Sequence, residues 1–271
     1  MSTVHIHPTA IVAPGADLDA GVEIGPYAVI GAQVKIGAGT RVGAHTVIEG
    51  RTTIGRDNVV FHHASVGAVP QDLKYRGEDS ELIIGDRNQI REFATLHLGT
   101  QGGGMLTRVG NDNLLMNYCH VAHDSIIGNH NIIANGVQLA GHVLVEDYVV
   151  AGALSGVHQF VRVGESALIG AGSMVSQDVA PYCNATGDRA VLHGLNLIGL
   201  KRRGFSRDTV HAIKEAYRLV FRSGLKLVEA VQRVRAELAE SPEIARFAAF
   251  LEASERGLCR PPRHTAKDDD E

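Results

Sequence analysis

The chain has 271 residues, enough for one large or two small domains, and 44% of them are hydrophobic, as is usual in globular proteins. The net charge of −4 gives no reason to expect nucleic-acid binding, and Cys119, Cys183 and Cys259 form no CxxC pair that would suggest a disulfide framework or a cysteine zinc site. No apolar run reaches about 18 residues and no signal peptide is evident in the first residues, so we expect a cytoplasmic protein without a membrane span.

A six-residue period is the strongest pattern in the sequence. Apolar residues occupy every sixth position over residues 6–66 and again over 109–175, with a short run over 84–96, and glycine often follows them. Neither the two-residue period of strands nor the 3.6-residue period of helices produces this spacing. Hexapeptide periodicity predicts a parallel β-helix, in which three hexads, about 18 residues, close one triangular coil. The period leaves the handedness of the coil open.

Two segments, residues 67–83 and 97–108, interrupt the period. Insertions in solenoid proteins tend to lie on one face, which is often the binding face. Tolerated surface insertions are an equally good explanation of each segment taken alone.

The sequence predicts three regions in order. Residues 1–184 form the β-helix, residues 185–260 form a helical domain, and residues 261–271 form a disordered acidic tail.

Helical spacing of apolar residues predicts three C-terminal helices. Ser206 is a suitable N-cap for the first, and Gly224 is a suitable stop. The second is expected over residues 227–238, and the third opens at Pro242 and is closed by Gly257.

Positive charge is concentrated in residues 201–235. This stretch holds ten Lys or Arg residues and three Asp or Glu residues, a balance of +7 in a chain of net charge −4. A basic helical patch indicates an anionic partner, either a phosphate or an acidic protein, and the alternative is a solvated helix surface.

Histidines accumulate in the regular part of the repeat. His123, His142 and His158 are 19 and 16 residues apart, so they are expected on adjacent coils and near one another, with His97 and His120 close by. A neutral imidazole can accept a hydroxyl proton at neutral pH, which makes a general base one interpretation. Three histidines that bind zinc are the second interpretation, and polar residues decorating turns are the third.

Two neighbours strengthen the general-base interpretation. Asp124 directly follows His123 and is suited to orient its ring. Gly141 precedes His142, and its N–H could hold an oxyanion because glycine allows close backbone approach.

Several strings in the chain resemble one enzyme family, the acyl-[acyl-carrier-protein]–UDP-N-acetylglucosamine O-acyltransferases of lipid A biosynthesis, and the resemblance covers residues 5–260. Both interruptions and the helical region take part in it. The strings are QDLKY (71–75), IRE (90–92), TLH (95–97), QGGG (101–104), NLLM (113–116), HVAHD (120–124), LAGH (139–142), VHQF (157–160) and GLKRRGFSR (199–207).

The resemblance implies a left-handed β-helix and a role for each matching residue. His123 is implied as the general base that deprotonates the sugar 3-hydroxyl, Asp124 as its polarising partner, and the Gly141 amide as the oxyanion donor. The attack falls on the thioester of an (R)-3-hydroxyacyl-acyl carrier protein, without a covalent intermediate. The implied substrate-binding residues are Asp72, Lys74, His97, His120, His142, His158, Gln159, Asn196, Arg202 and Arg203.

The resemblance also implies partners. It implies a homotrimer with sites between neighbouring prisms, docking of acyl carrier protein on the basic helices, UDP-N-acetylglucosamine as acceptor, and neither a metal nor another cofactor. Two positions bear on the family pattern: Ile198 stands where family members carry Glu near the nucleotide, and Ala171 falls where the family sets acyl length, at a position that can be Gly. We therefore expect Ala171 to favour a somewhat shorter acyl chain.

Three rival interpretations stand beside this one. The related N-acyltransferase usually carries an extra N-terminal domain, whereas the hexads of this chain begin at Ile6. A zinc β-helix enzyme of the γ-carbonic-anhydrase type is distinguished by metal analysis. A non-catalytic or ice-binding solenoid would have flat Thr-rich faces and no histidine cluster.

Overall fold

A computed structural model describes residues 3–238 and 241–262. Short strands, mostly of two residues, form three sheets that are the faces of a triangular prism. Inward side chains within the stack, such as Ile30 and its neighbour Ile48 on the next coil, are fully buried because stacked coils cover one another. The predicted left-handed parallel β-helix with C-terminal helices is confirmed.

Each sheet runs along the prism and takes its strands from successive coils. The first sheet contains β1 (His5–Ile6), β4 (Glu23–Ile24), β7 (Arg41–Val42), β10 (Val59–Val60), β13 (Gln89–Ile90), β16 (Leu114–Leu115), β19 (Ile132–Ile133), β22 (Val150–Ala151), β25 (Leu168–Ile169), β27 (Cys183–Thr186) and β28 (Val191–Leu195). The second contains β2 (Ile11–Val12), β5 (Val29–Ile30), β8 (Val47–Ile48), β11 (Ser65–Ala68), β14 (Thr95–His97), β17 (His120–Val121), β20 (Gln138–Leu139), β23 (Gly156–Val157) and β26 (Met174–Val175). The third contains β3 (Asp17–Leu18), β6 (Lys35–Ile36), β9 (Arg51–Ile54), β12 (Glu81–Ile84), β15 (Leu106–Val109), β18 (Ile126–Ile127), β21 (Leu144–Val145) and β24 (Arg162–Val163).

The two interruptions leave the prism at the same corner, between the second and third sheets. The first loop (residues 69–80) joins β11 to β12, and the second loop (residues 98–105) joins β14 to β15. Both are shorter than the predicted interruptions because flanking residues belong to strands. The next coil turns the same corner between β17 and β18, which is where His123 and Asp124 lie.

Most corners contain a residue in the left-handed region. Asp124 and His142, both with φ of 61°, are two of these residues. Such a conformation costs a non-glycine residue energy, but it turns the chain sharply and directs the side chain away from the core.

The first sheet continues beyond residue 184, where the sequence placed the domain boundary. Strand β28 pairs antiparallel with β27, and the helices begin only at Leu197. The helices are α1 (Leu197–Arg202), α2 (Arg207–Phe221), α3 (Leu227–Leu238) and α4 (Pro242–Glu252).

The predicted helix starts and stops agree only in part with the observed helix bounds. Ser206 caps α2 by accepting from the Thr209 N–H at 3.0 Å, as predicted. Gly257 does not close α4, because that helix already ends at Glu252. Gly224 lies two residues beyond Arg222, the C-cap of α2. Helix α1 escaped prediction because its six residues are too few to show a period.

After α4 the chain comes back to the last coil as a return segment, residues 253–260. The Asp178 N–H donates to the Gly257 carbonyl at 2.8 Å, and the Cys259 N–H donates to the Asp178 carbonyl at 2.8 Å. The predicted disordered tail lies, from residue 263 onward, outside the described residues.

Candidate active site

A cleft of about 700 Å³ runs along the second sheet to its corner with the third. It begins at Gln71 in the first loop and ends at the β27–β28 turn. Its lining residues are Gln71, His97, His120, Ala122, His123, Gln138, Leu139, Ala140, Gly141, Gly156, Val157, His158, Gln159, Met174, Val175, Ser176, Asp188 and Arg189.

His123 lies on the corner after β17, and it is 7% exposed. Its Nδ1 is 2.8 Å from Oδ2 of Asp124. A carboxylate can only accept, so Nδ1 carries the proton and Nε2 keeps its lone pair. The ring therefore has the tautomer of a general base.

Asp124 is held by the second loop. The Thr100 N–H donates to Oδ1 at 2.8 Å, and the Thr100 hydroxyl donates to Oδ2 at 2.6 Å. The Asp124 N–H donates in turn to the Thr107 hydroxyl at 2.8 Å. These donors stabilise a buried carboxylate that otherwise would be costly to desolvate. Sequence reasoning missed Thr100, because no spacing rule connects it to a residue 24 positions away.

Gly141 lies directly beside the His123 ring, one coil further on. A β-carbon there would come within 2.5 Å of His123 Cε1 and 2.7 Å of Nε2, so the close approach requires glycine. Among the described residues, the Gly141 N–H has no hydrogen-bond acceptor. Pro26 and Pro181 occupy the same turn position on other coils, so an unpaired N–H is a property of the turn. What distinguishes Gly141 from these turn residues is its closeness to the His123 ring.

Burial keeps three further histidines neutral. It lowers the pKa of His97 to about 4, with repulsion from His120 and His123 as lesser causes. Burial also lowers the pKa of His120, whose Nδ1 is 2.7 Å from the Thr95 hydroxyl, and that of His142. Neutral rings can donate and accept at once, which suits binding of hydroxyl and carbonyl groups.

The predicted alignment of the histidines is only partly realised. His123 and His142 are in contact, with ring centroids 5.1 Å apart. However, a coil of this region spans 18 residues, so His142 stacks on Phe160 at 4.4 Å and not on His158. Gln159 lies in line with His123 and Gly141. His158 lines the cleft from a neighbouring position.

The first loop brings two predicted residues close to His142. The Lys74 N–H donates to Asp72 Oδ1 at 2.9 Å, which closes a turn within the first loop. The charges of both side chains act on the pKa of His142, the Asp72 carboxylate raising it and the Lys74 ammonium lowering it. Gln71, next to Asp72 in the same loop, belongs to the lining of the cleft.

The predicted nucleotide-binding residues do not line this cleft within one chain. Asn196 is buried, where it caps α1 by accepting from the Gly199 N–H and donates to the Ser166 carbonyl. Arg203 donates to Glu165 and Ser166 and lies over the Tyr148 ring. Arg202 is exposed on α1, and so is Ile198, at 69%.

Ala171 also lies outside the cleft lining. It is exposed on the corner between the first and second sheets, at the opposite edge of the second sheet from His123. By contrast, Asp188 and Arg189 in the β27–β28 turn and Ser176 line the far end of the cleft, and sequence reasoning missed them. No periodic signal marks these residues, because they lie after the last hexad.

Three side chains could together hold a metal ion: those of His123, Asp124 and His142, whose ligand atoms all lie within 4.8 Å of one another. Asp124 Oδ2 is 2.8 Å from His123 Nδ1 and 3.8 Å from His142 Nε2. This oxygen already accepts from Thr100, so an ion would have to replace an existing bond. His158, the third histidine of the zinc interpretation, is not part of the group.

Over the described ranges, no helix is both long and apolar enough to cross a membrane.

Comparison with known proteins gives one consistent result. The family profile described as "Udp N-acetylglucosamine O-acyltransferase; Domain 2" matches residues 178–259, and the bacterial transferase hexapeptide profile matches residues 18–50 and 106–141. An acyl-[acyl-carrier-protein]–UDP-N-acetylglucosamine O-acyltransferase of Myxococcus xanthus is 57% identical over 255 residues, which is 94% of this chain and 99% of the relative. Its counterpart from Janthinobacterium is 53% identical with the same coverage. The crystal structure of UDP-N-acetylglucosamine acyltransferase from Francisella novicida superimposes with a TM-score of 0.93 at 40% identity, over 95% of each chain.

Proposed function

Since the chain belongs to the acyl-[acyl-carrier-protein]–UDP-N-acetylglucosamine O-acyltransferase family, we propose that His123 and Asp124 are the catalytic pair of its reaction. The enzyme transfers an acyl group from acyl carrier protein to UDP-N-acetylglucosamine, the first step of lipid A biosynthesis. One observation carries the catalytic proposal. The 2.8 Å contact between His123 Nδ1 and Asp124 leaves Nε2 as a proton acceptor in the cleft.

The reaction is a direct transfer without a covalent enzyme intermediate. His123 Nε2 removes the proton of the sugar 3-hydroxyl while that oxygen attacks the thioester carbonyl of an (R)-3-hydroxyacyl donor. The tetrahedral intermediate then expels the thiolate of the carrier protein, which takes the proton back from the imidazolium. Asp124 stabilises the imidazolium between these steps.

The Gly141 amide is the oxyanion donor of this scheme. Its N–H lacks an acceptor within the described chain, and Gly141 lies beside the His123 ring, which accepts the proton in this scheme. A preorganised amide at such a point stabilises the charge that develops on the carbonyl oxygen.

Substrate binding is assigned to the residues around this centre. His142, His158 and Gln159 bind the sugar nucleotide, and Asp72, Lys74, His97 and His120 position the reacting groups. The neutral rings of His97, His120 and His142 support this role, because they offer both donors and acceptors. The proposed chemistry requires no metal and no other cofactor.

We further propose a cytoplasmic homotrimer in which neighbouring chains complete each site. Asn196, Arg202 and Arg203 would then hold the uridine diphosphate of a site whose histidines belong to the adjacent subunit. Their absence from the cleft of a single chain supports this arrangement. The three unpaired, buried cysteines suit a reducing compartment.

Acyl carrier protein docks on the outer face of α2 in this proposal. Arg207, His211, Lys214 and Arg218 lie along one exposed face of that helix. Of the ten basic residues in 201–235, six have no ion pair within the described residues: Lys201, Arg202, Arg207, Lys214, Arg222 and Lys226. They remain available to an acidic partner.

Mass spectrometry of the product tests the function. The purified protein is given UDP-N-acetylglucosamine and a set of 3-hydroxyacyl carrier proteins, with and without prior chelation of metals. We expect an O-acylated UDP-N-acetylglucosamine whose formation is insensitive to chelation. Acylation only of the 2-amine of a UDP-3-O-acylglucosamine would favour the N-acyltransferase, and activity that chelation abolishes and zinc restores would favour a metal mechanism.

Subunit complementation tests the shared site. His123→Gln and Arg202→Ala are each expected to be nearly inactive at low UDP-sugar concentration. Mixed trimers, formed by co-expression of the two differently tagged variants, should regain activity, because some interfaces combine two intact halves. If both residues served the same subunit's site, no mixed interface would be active.

A further inference from the structure

The return segment brings an arginine to the edge of the cleft. Arg256 Nη2 is 2.8 Å from Nδ1 of His158, and Arg256 Nε donates to the Ser176 carbonyl at 3.1 Å. His158 and Ser176 both line the cleft, whereas Arg256 comes from a part of the chain 98 residues beyond His158. The helical region therefore contacts the site through a charged side chain.

The backbone around Arg256 is fixed by contacts that do not involve its side chain. The Ser254 hydroxyl donates to Asp178 Oδ2 at 2.7 Å, and the Asp178 N–H donates to the Gly257 carbonyl at 2.8 Å. Leu258 is buried and forms a parallel bridge with Asp178. Replacing the Arg256 side chain should therefore leave the return segment in place.

The permanent charge of Arg256 determines which ring nitrogen of His158 carries the proton. A guanidinium stays protonated at all ordinary pH values and has no acceptor. Nδ1 of His158 must therefore accept the Arg256 bond, which places the ring proton on Nε2. The 3.1 Å contact between Nδ1 and the Gln159 carbonyl would require the opposite tautomer, so the two contacts exclude each other as hydrogen bonds. The arginine contact is shorter and charge-assisted, and it prevails.

We propose that Arg256 is a positioning residue that holds His158 in its Nε2–H tautomer, so that the ring donates to an oxygen of the sugar nucleotide. Without Arg256, His158 would be free to donate from Nδ1 to the Gln159 carbonyl and would then present a lone pair to the same oxygen. A lone pair facing an acceptor repels it, and binding of the nucleotide weakens. The ligand part of this inference rests on the proposed function, but the tautomer does not.

Nitrogen NMR of histidine-labelled full-length protein tests the tautomer directly, without substrate. His158 is assigned by loss of its signals in His158→Gln. We expect the shifts of a protonated Nε2 and an unprotonated Nδ1 in the wild type, and in Arg256→Gln a shift toward the Nδ1–H form. Arg260→Gln serves as the control, because it removes one exposed charge from the same segment and its side chain has no hydrogen bond among the described residues. An Nδ1–H tautomer in the wild type, or an unchanged one in Arg256→Gln, rejects the proposal even if the enzyme is fully active.

Kinetics test the consequence for the substrate. Arg256→Gln should raise the KM for UDP-N-acetylglucosamine about tenfold and change kcat less, as expected for one weakened hydrogen bond. In a His158→Gln background the same substitution should have no further effect. Additive losses in the double variant would show that Arg256 acts independently of His158. A protein that lacks the proposed activity would leave the NMR result untouched, so the two failures are distinguishable.

Discussion

Thr100 donates both its backbone N–H and its hydroxyl to the carboxylate of Asp124, at 2.8 and 2.6 Å. The second loop therefore supports the catalytic pair. Two fixed donors hold the buried Asp124 carboxylate in one orientation. The hydrogen bond from His123 Nδ1 to this carboxylate then fixes the orientation of the His123 ring.

Two adjacent glycines in the second loop test this support. A β-carbon on Gly103 would overlap the Asp124 carboxyl group, whereas one on Gly102 would have its nearest neighbour 3.9 Å away. We expect Gly103→Ala to lower kcat about 100-fold by displacing Asp124, while Gly102→Ala stays near the wild-type value. Steady-state kinetics, with thermal unfolding to confirm folding, make the measurement. Equal activities in the two variants would show that the loop does not orient the pair.

Removal of the base is the most direct test of the site. His123→Gln should lower kcat at least about 100-fold with little change in KM, because general bases contribute 10²- to 10⁴-fold. His45→Gln provides a control, since His45 lies exposed on another corner of the prism. Turnover within a few-fold of the wild type would assign the base to another residue.

The buried His97 predicts loss of stability in acid. Its pKa is about 4 when folded and 6.5 when unfolded, so between these values the unfolded chain binds a proton that the folded chain does not. The free energy of unfolding should fall as the pH drops from 6.5 to 4, by up to about 3 kcal/mol from this residue. His120 and His142 act in the same direction.

Denaturant titrations at a fixed protein concentration across this pH range measure the effect. His97→Gln should give a shallower pH dependence than the wild type, whatever its effect on stability at neutral pH. A slope unchanged by the substitution would mean that His97 titrates normally.

The basic face of α2 predicts salt-sensitive recognition of the donor. Lys214→Glu combined with Arg207→Glu should raise the KM for the acyl carrier protein about tenfold or more and weaken its salt dependence. The KM for the sugar nucleotide should stay unchanged. Lys35→Glu combined with Arg41→Glu, at two exposed positions on the N-terminal coils, is the matched double charge reversal and should have no effect. A similar loss in this control would indicate a general effect of net charge.

Ala171 tests the source of chain-length preference. Ala171→Gly should shift the preferred 3-hydroxyacyl chain to a longer one, because removal of a methyl group lengthens the space for the tail. In one chain Ala171 is exposed, so the effect requires a neighbouring subunit to cover it. Competition between donors of different length, read by product mass, gives the preference directly. No shift would mean that this corner does not contact the tail.

Much of the fold could be predicted from the sequence because its signals are local and repeated. A hexad fixes its own inward residue, as at Ile30, and the next coil repeats the same environment at Ile48. The Ser206 cap and α2 were predictable for the same reason, since a helix start depends on a few adjacent residues. The short α1 and the role of Gly257 were not, because the first lacks a period and the second depends on where the return segment packs.

The sequence by itself determined the prism, the corner that carries His123 and Asp124, and the nearness of His142, because coil length converts separation along the chain into position in space. Only the tertiary structure decided the partners that come from outside the repeat. Thr100 reaches Asp124 through a loop, and Arg256 reaches His158 from the end of the helical region. The repeat does not fix how far apart along the chain these contacting residues lie, so only the packing of the folded chain brings them together.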